Sequence, residues 1–259
     1  MNILICLKQV PDTELQIIPN EAENDIKRDN IKYVVNPYDE YAIEEALKIK
    51  EAMKDVSVTA IAVGPERSKE ALRTALAMGC DDAILIVHSD DIIEPLHVSK
   101  ILSAFAKTKE YSLILCGKQA IDDDSASVGP ALAGLMGWAQ ATNVIKLEIA
   151  KDGKWARCSR QIESGTAIIE CTLPAVITAQ KGLNEPRYVS LPGIMKAKKK
   201  EIPLIAVDTL SVGDLSPAFT ILHFSRPPER KSEHRIFAGS IQQVVEQTIS
   251  VLKEEVKVL

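Results

Sequence analysis

The chain has 259 residues, room for one large domain or one domain with a substantial appendage. Hydrophobic residues make up 46% and charged residues 26%, the balance of a globular protein with a sizeable core. The net charge of −5 and pI near 5.5 argue against a nucleic-acid binder, and no apolar run approaches a membrane span, so neither nucleic acid nor membrane insertion is expected.

The first residues, "MNILICLKQV", enter an apolar, strand-like run at once and leave no space for a charged leader with a cleavage site, which favours a cytoplasmic protein. "NPYDEYAIEEALKIKEAM" predicts a helix. Asn36 is placed to cap it, Pro37 suits its first position, Asp39 favours its positive end, and Ala42, Ala46, Ile49 and Met53 recur on one face. "VTAIAV" at 58–63 predicts a strand, and "ERSKEALRTALAM" a second helix closed by Gly79 as a left-handed cap. "AILIV" at 83–87, a helix over "PLHVSKILSAFAK" and "LILC" at 113–116 follow. These strands are apolar at every position, as when helices cover both faces of a sheet. Their alternation with helices implies right-handed crossovers and parallel pairing.

After a helix that begins near Ser127 the texture changes. "TNVIKLEIA", "KWARCSRQI" and "TAIIECT", separated by "KDGK" and "ESG", look like antiparallel hairpins, and "AVITA" at 175–179 reads as another buried strand. The stretch from 183 to 200 is polar, bears prolines and ends basic. From 206 to 259 strand signals are few, and the segment ends in an amphipathic helix, "SIQQVVEQTISVLKEEV".

The five cysteines form no CxxC and read as reduced core residues, and the four histidines are dispersed. Neither metal ligation nor a Ser/His/Asp or Cys/His catalytic group is expected. An open parallel sheet binds ligands beyond the carboxyl ends of its strands. Four segments fall there: Cys6 to Gln9, Asn36 to Asp39, Val63 to Pro65, and the stretch from Gly117 onward. Their convergence predicts a nucleotide pocket, and the lack of a GxGxxG or Walker A pattern leaves the nucleotide open.

"GKQAIDDDSASVGPALAG" sharpens that expectation. A glycine after a strand, small residues and then a helix announce a phosphate site. Three consecutive aspartates stand in the way. As metal ligands they would have to converge, but adjacent residues point in different directions. The expectation is that one aspartate caps the following helix and another bonds backbone donors in the turn, while phosphate meets backbone N–H groups and the hydroxyls of Ser125 and Ser127.

"NPYDEYAIEEALKIKE", "RTALAMGCD", "GKQAIDDDSASVG" and "LNEPRYVSLPGIMKAKKK" together resemble the β subunit of electron-transfer flavoprotein, from residue 1 to about 205 and more faintly beyond. The resemblance implies an α/β fold, a three-layer parallel sheet of the adenine-nucleotide-binding (α-hydrolase-like) type with an added antiparallel strand group and a C-terminal arm. Residues 1–205 would form the nucleotide-binding domain, and 206–259 an arm packed on a larger α subunit. FAD is then shared with the α subunit, and AMP occupies the β site. Electrons come from acyl-CoA-type or other flavin dehydrogenases and leave to a quinone-linked acceptor, so the chain is a carrier without catalytic residues. In electron-bifurcating members a second FAD takes the β site and NADH is oxidised. A freestanding adenine-nucleotide-binding sensor is a further reading, against which the 183–200 stretch and the arm argue.

Carried over by motif, the nucleotide contacts are Cys6, Asn36, Pro37, Tyr38, Asp39 and Val63. The loop adds Gly117, Lys118, Gln119, Ala120 and Ile121, then Asp122, Asp123 and Asp124, then Ser125, Ala126, Ser127 and Val128. The resemblance makes 183–200 a recognition loop for partner dehydrogenases, with Leu191 as an apolar plug beside Arg187, Tyr188 and Pro192, and "KAKKK" as a charged rim or a solvated face. There are departures. Gln161 stands where some members carry an acid, and the N-terminus and "SRQIESG" resemble bifurcating members. Asp123 points the other way. A glycine there would allow close backbone approach, whereas a carboxylate that neither turns away nor pairs with Lys118 disfavours the pyrophosphate of FAD more than the single phosphate of AMP.

Overall fold

The structure, a computed structural model, describes residues 1–89, 93–228 and 234–259. Contacts group them into two units, Met1–Ile17 with Lys27–Ile221, and Ile18–Ile26 with Leu222–Leu259.

In the first unit the apolar runs become sheet and the 3.6-periodic runs become its cover. Strand β1 (Asn2–Cys6) is followed by a short antiparallel pair, β2 (Gln9–Pro11) and β3 (Tyr33–Val35). Helix α1 (Pro37–Ala52), β4 (Ser57–Gly64), α2 (Lys69–Met78), β5 (Asp82–Val87), α3 (Pro95–Ala106), β6 (Leu113–Gly117) and α4 (Val128–Met136) continue the alternation. Then come β7 (Ala139–Ile149), β8 (Trp155–Ile162), β9 (Gly165–Thr172), β10 (Ala175–Ala179), α5 (Leu191–Lys199) and β11 (Leu204–Ala206). Among the described residues, nine of these strands form one sheet in the order β11-β5-β4-β1-β6-β10-β7-β8-β9. It is parallel from β11 through β7 and antiparallel from β7 to β9.

Two hydrophobic layers flank the sheet. On one face Ile3, Ile5, Leu113 and Leu115 meet Ala42, Ile43, Ala46 and Leu72 of α1 and α2. On the other, Leu4, Ile61, Ile84 and Ile114 meet Ile101, Phe105 and Leu132 of α3 and α4. Each fully buried aliphatic side chain contributes about 1.5–3 kcal/mol relative to exposure, so the sheet centre dominates the stability. The three-layer sheet with its antiparallel addition is thus the architecture of this chain. At the far edge β9 has only one covered face, and its residues alternate between the two.

Three features differ from the sequence expectation. The β2–β3 pair and β11 are too short, at three residues each, to show a period. β10 is the buried strand read at 175–179, but it returns from the hairpins to lie between β6 and β7, a position the sequence reading did not assign. And 191–199, expected as loop, is helix α5. The Ser190 hydroxyl caps it by accepting from Gly193 N at 3.2 Å, and Arg73 of α2 donates to the carbonyls of Ala197 and Lys200.

In the second unit, α6 (Ile241–Val251) starts with a reciprocal capping box between Ser240 and Gln243. Ile241, Val245 and Ile249, one turn apart, are 85%, 48% and 41% exposed. Residues 229–233, inside the expected arm, lie outside the described residues. Among the described residues no helix is long and apolar enough to cross a membrane.

Candidate functional site

A cleft opens beyond the carboxyl ends of β1, β4 and β6 and is lined by the four segments expected there. Its rim is tied together by one buried carboxylate. Asp39, in the first turn of α1, accepts from Lys8 N at 2.7 Å, from Asn36 Nδ2 at 3.0 Å and from Gly117 N at 3.0 Å. Those donors lie on three separate segments, so Asp39 sets the spacing of the rim. Burial pushes its pKa up to about 7, against the pull of the three donors. A Cβ at Gly117 would run into the Asp39 carboxylate and the Tyr38 backbone, so only glycine lets the β6 end come this close.

Asn36 sits at the N-cap position of α1 but makes no side-chain cap. Its amide instead donates to Gln119 O at 2.8 Å and accepts from Ile121 N at 3.2 Å. The capping role read from sequence is replaced by a brace on the 117–121 loop.

None of the three aspartates caps α4, which begins after Ser127 without a side-chain cap bond, so the expected cap is corrected. The first turn of that helix lines the cleft with Ser127, Val128 and Gly129. The aspartates diverge. Lys8 Nζ bridges Asp122 Oδ1 at 2.8 Å and Asp123 Oδ2 at 3.0 Å, Asp123 Oδ1 accepts from Ser125 N at 2.8 Å, and Asp124 accepts from Gln119 Nε2 at 2.5 Å. Burial works against the Lys8 charge, but the two carboxylates outweigh it and its pKa is raised. For Asp123, burial is likewise outweighed, by the Ser125 N–H and Lys8, and its pKa is lowered. The cation on the acids is therefore Lys8 and not Lys118, whose ammonium stands 5.9 Å from the Tyr38 ring centroid. Asp124 and Ala126 take φ of 51° and 50°, the left-handed bends that turn the loop into α4. Among the described residues no group of three His, Cys, Asp or Glu is arranged to hold a metal.

Of the residues singled out in the sequence, Cys6, Asn36, Asp39, Val63, Gly117, Lys118, Gln119 and Ala120 line the cleft, as do Asp123, Ser125, Ala126, Ser127 and Val128. Pro37, Tyr38, Ile121, Asp122 and Asp124 stand outside its lining. Sequence reasoning missed Arg67, which lines the cleft and exchanges hydrogen bonds with Gln9: Nη1 to Oε1 at 2.8 Å, and Gln9 Nε2 to Arg67 O at 3.2 Å. It also missed the start of α3, with Pro95 and Val98. Both follow carboxyl strand ends, β4 and β5, so the topological rule that found the other segments also covers them.

Away from the cleft, Tyr188 is 99% and Leu191 71% exposed, with Pro192 exposed beside them. Arg187 differs. Its guanidinium donates from Nε to Glu44 Oε2 at 2.8 Å, from Nη2 to Glu44 Oε1 at 3.0 Å and from Nη1 to Glu51 Oε1 at 2.7 Å, strapping the segment to α1. Gln161 accepts from Gln180 Nε2 at 3.2 Å.

Comparison with known proteins gives one answer. The family model "Electron transfer flavoprotein domain" matches residues 24–210. The chain is 41% identical over 263 residues to the electron transfer flavoprotein subunit beta of Bacillus subtilis, with all of both chains covered. It is 40% identical over 259 residues to the mitochondrial electron transfer flavoprotein subunit beta of Arabidopsis thaliana, again over all of both. With the electron transfer flavoprotein subunit beta of Mus musculus it shares 35% over 257 residues, 98% of this chain and 97% of that one. The chain belongs to the electron transfer flavoprotein subunit beta family.

Proposed function

We propose that this chain is an electron-carrier subunit that works in a heterodimer with an α subunit, in the cytoplasm. The pair shares a redox-active FAD held mostly by the α subunit, takes electrons from acyl-CoA-type or other flavin dehydrogenases, and passes them to a quinone-linked acceptor. The flavin supplies the electron chemistry. This chain clamps an AMP, presents a docking surface and extends an arm.

The observation that carries this reading is the cleft itself. Its rim is preset by Asp39 and Asn36, and it ends at an uncapped helix start whose first N–H groups suit a phosphate. The hydroxyls of Ser125 and Ser127 stand at the same place. AMP is favoured over a second FAD because Asp123 lines the cleft and is pinned by both Lys8 and the Ser125 N–H. Held there, its carboxylate adds bulk where a second phosphate would pass. Pairing with Lys8 softens its charge, so the bar to a dinucleotide is mainly one of room.

The exposed stripe Ile241, Val245 and Ile249 supports an arm that packs on the α subunit, and exposed Tyr188, Leu191 and Pro192 support docking of dehydrogenases. Arg187 serves that surface as a brace. The test is to denature the purified complex and quantify released nucleotides. One FAD and one AMP per heterodimer are expected. Two FAD and no AMP would replace this reading with an electron-bifurcating flavoprotein that oxidises NADH. A lone chain carrying only an adenine nucleotide would point to a freestanding sensor.

A further inference from the structure

The floor of the cleft carries a pair of groups that nucleotide clamping leaves unused. Cys6 ends β1, Cys116 lies one residue from the end of β6, and the two are register partners on adjacent parallel strands. Both are buried free thiols, and both line the cleft. In-register neighbours project on the same side of a sheet, so the two sulfurs stand side by side. Helix α4 begins directly above them, since a Cβ on Gly129 would lie 4.0 Å from Cys116 Cβ.

The ladder decides what such a pair can do. Adjacent strands run about 4.8 Å apart, and in-register side chains project nearly parallel, so their Cβ atoms keep about that spacing, wider than the separation of about 3.8 Å usual for a disulfide. The backbone thus holds the sulfurs near each other while resisting a direct S–S bond. A single bridging atom closes the gap. The neighbouring Cys116 thiol and burial hold the Cys6 pKa well above the usual thiol range, so Cys6 is a poor nucleophile toward reagents that need one thiolate. A reagent that bonds both thiols gains from its second, intramolecular bond, worth about 10²–10⁴ in affinity.

We propose that Cys6 and Cys116 form a dithiol site for trivalent arsenic on the floor of the cleft. With phenylarsine oxide, two S–H bonds break and two As–S bonds form, and the arsenic-bound oxygen leaves with both protons as water. Arsenic remains trivalent and no electrons are transferred. The bound arsenical fills the space below the α4 start, so it competes with nucleotide; only this competition rests on the nucleotide reading of the cleft. Cys158 and Cys171 are a rival pair away from the cleft. They sit on a diagonal of β8 and β9, opposite Ile169 and Ala156, with their thiols in hydrogen-bond contact, but neither lines the cleft, so the mapped pair tells the two sites apart.

In the test, the full chain is freed of nucleotide, titrated with phenylarsine oxide, denatured and alkylated, and its cysteines are mapped by mass. One equivalent should bind, be released by a small dithiol, and protect Cys6 and Cys116 together while Cys80, Cys158 and Cys171 are alkylated. Cys6→Ser and Cys116→Ser should each weaken capture about 10²-fold, and Cys158→Ser should leave it unchanged. Protection of any other pair, or undiminished capture by Cys6→Ser, overturns the site. Because protection is read on the parent chain, a variant that fails to fold does not blunt the test. AMP should slow capture. Capture indifferent to AMP would sink the nucleotide reading and leave the dithiol standing.

Discussion

The cleft rim and the 187–199 segment are both polar, charged stretches that begin after a buried strand, yet they use their charges in opposite ways. At the rim the charged groups face one another: Asp39 holds three donors, and Lys8 holds two aspartates. In 187–199 the one inward charge, Arg187, straps the segment to α1, and Tyr188, Leu191 and Met195 are left 99%, 71% and 59% exposed. A rim whose polar groups are satisfied from within is preorganised for a small ligand, because little side-chain entropy is lost when one binds. A braced segment with exposed apolar tips is arranged for a macromolecule that covers them.

If that contrast is right, breaking the rim should alter nucleotide content and stability, and breaking the tips should alter only electron transfer between proteins. The largest effect belongs to Asp39. Its folded pKa of about 7 exceeds the ordinary value of 3.8, so the native state keeps a proton that the unfolded chain gives up. That contribution is complete below the ordinary value and is lost as pH rises through the folded one. Denaturation of the parent and of Asp39→Asn across pH 4 to 7 should show the parent losing ground by about 1.4 kcal/mol per pH unit. Parallel curves would mean that Asp39 titrates normally.

Next in size is Gly117→Ala, which forces a Cβ into the Asp39 carboxylate and the Tyr38 backbone. Overpacking of this kind costs about 1–3 kcal/mol, and the variant should also purify with little nucleotide. Full nucleotide content would show that the rim tolerates displacement.

Leu191→Ala tests the other side of the contrast. Loss of a hot-spot side chain costs about 2 kcal/mol of docking, enough for well over a tenfold slower electron transfer at limiting protein. The flavin spectrum and nucleotide content should not change. Kinetics that match the parent would remove the docking role from this leucine.

The smallest effect is expected from Lys8→Met, which leaves Asp122 and Asp123 without their shared cation near a phosphate. The pair is about one-third exposed, so solvent screens it. A weakening of AMP binding of about tenfold, one coupling of ordinary size, is expected. Adding Asp123→Asn should restore part of it. If the double variant binds no better than Lys8→Met, the aspartate is not what repels the phosphate.

Much of this was legible in the chain. Apolar runs of strand length, alternating with capped helical patterns, imply a parallel sheet, and that sheet places a ligand at its carboxyl ends; Cys6, Asn36, Val63 and Gly117 follow from that rule. Three-residue strands carry no period, so β2, β3 and β11 were not. Helix α5 was hidden because Pro192, Gly193 and a run of lysines look like a loop, whereas its stability comes from docking on α2 through Arg73.

The family and the layered sheet were determined by the sequence alone, because motif order, hydrophobic period and segment length are properties of neighbouring residues. Which groups meet across the cleft was decided only by the tertiary structure. Lys8 and Asp122 are 114 positions apart, and Asp39 and Gly117 are 78 apart. No local preference selects Lys8 over the adjacent Lys118 as the partner of the acids. The sheet does so, because bringing β1 and β6 side by side carries Lys8 to the mouth of the loop, while Lys118 turns to the ring of Tyr38.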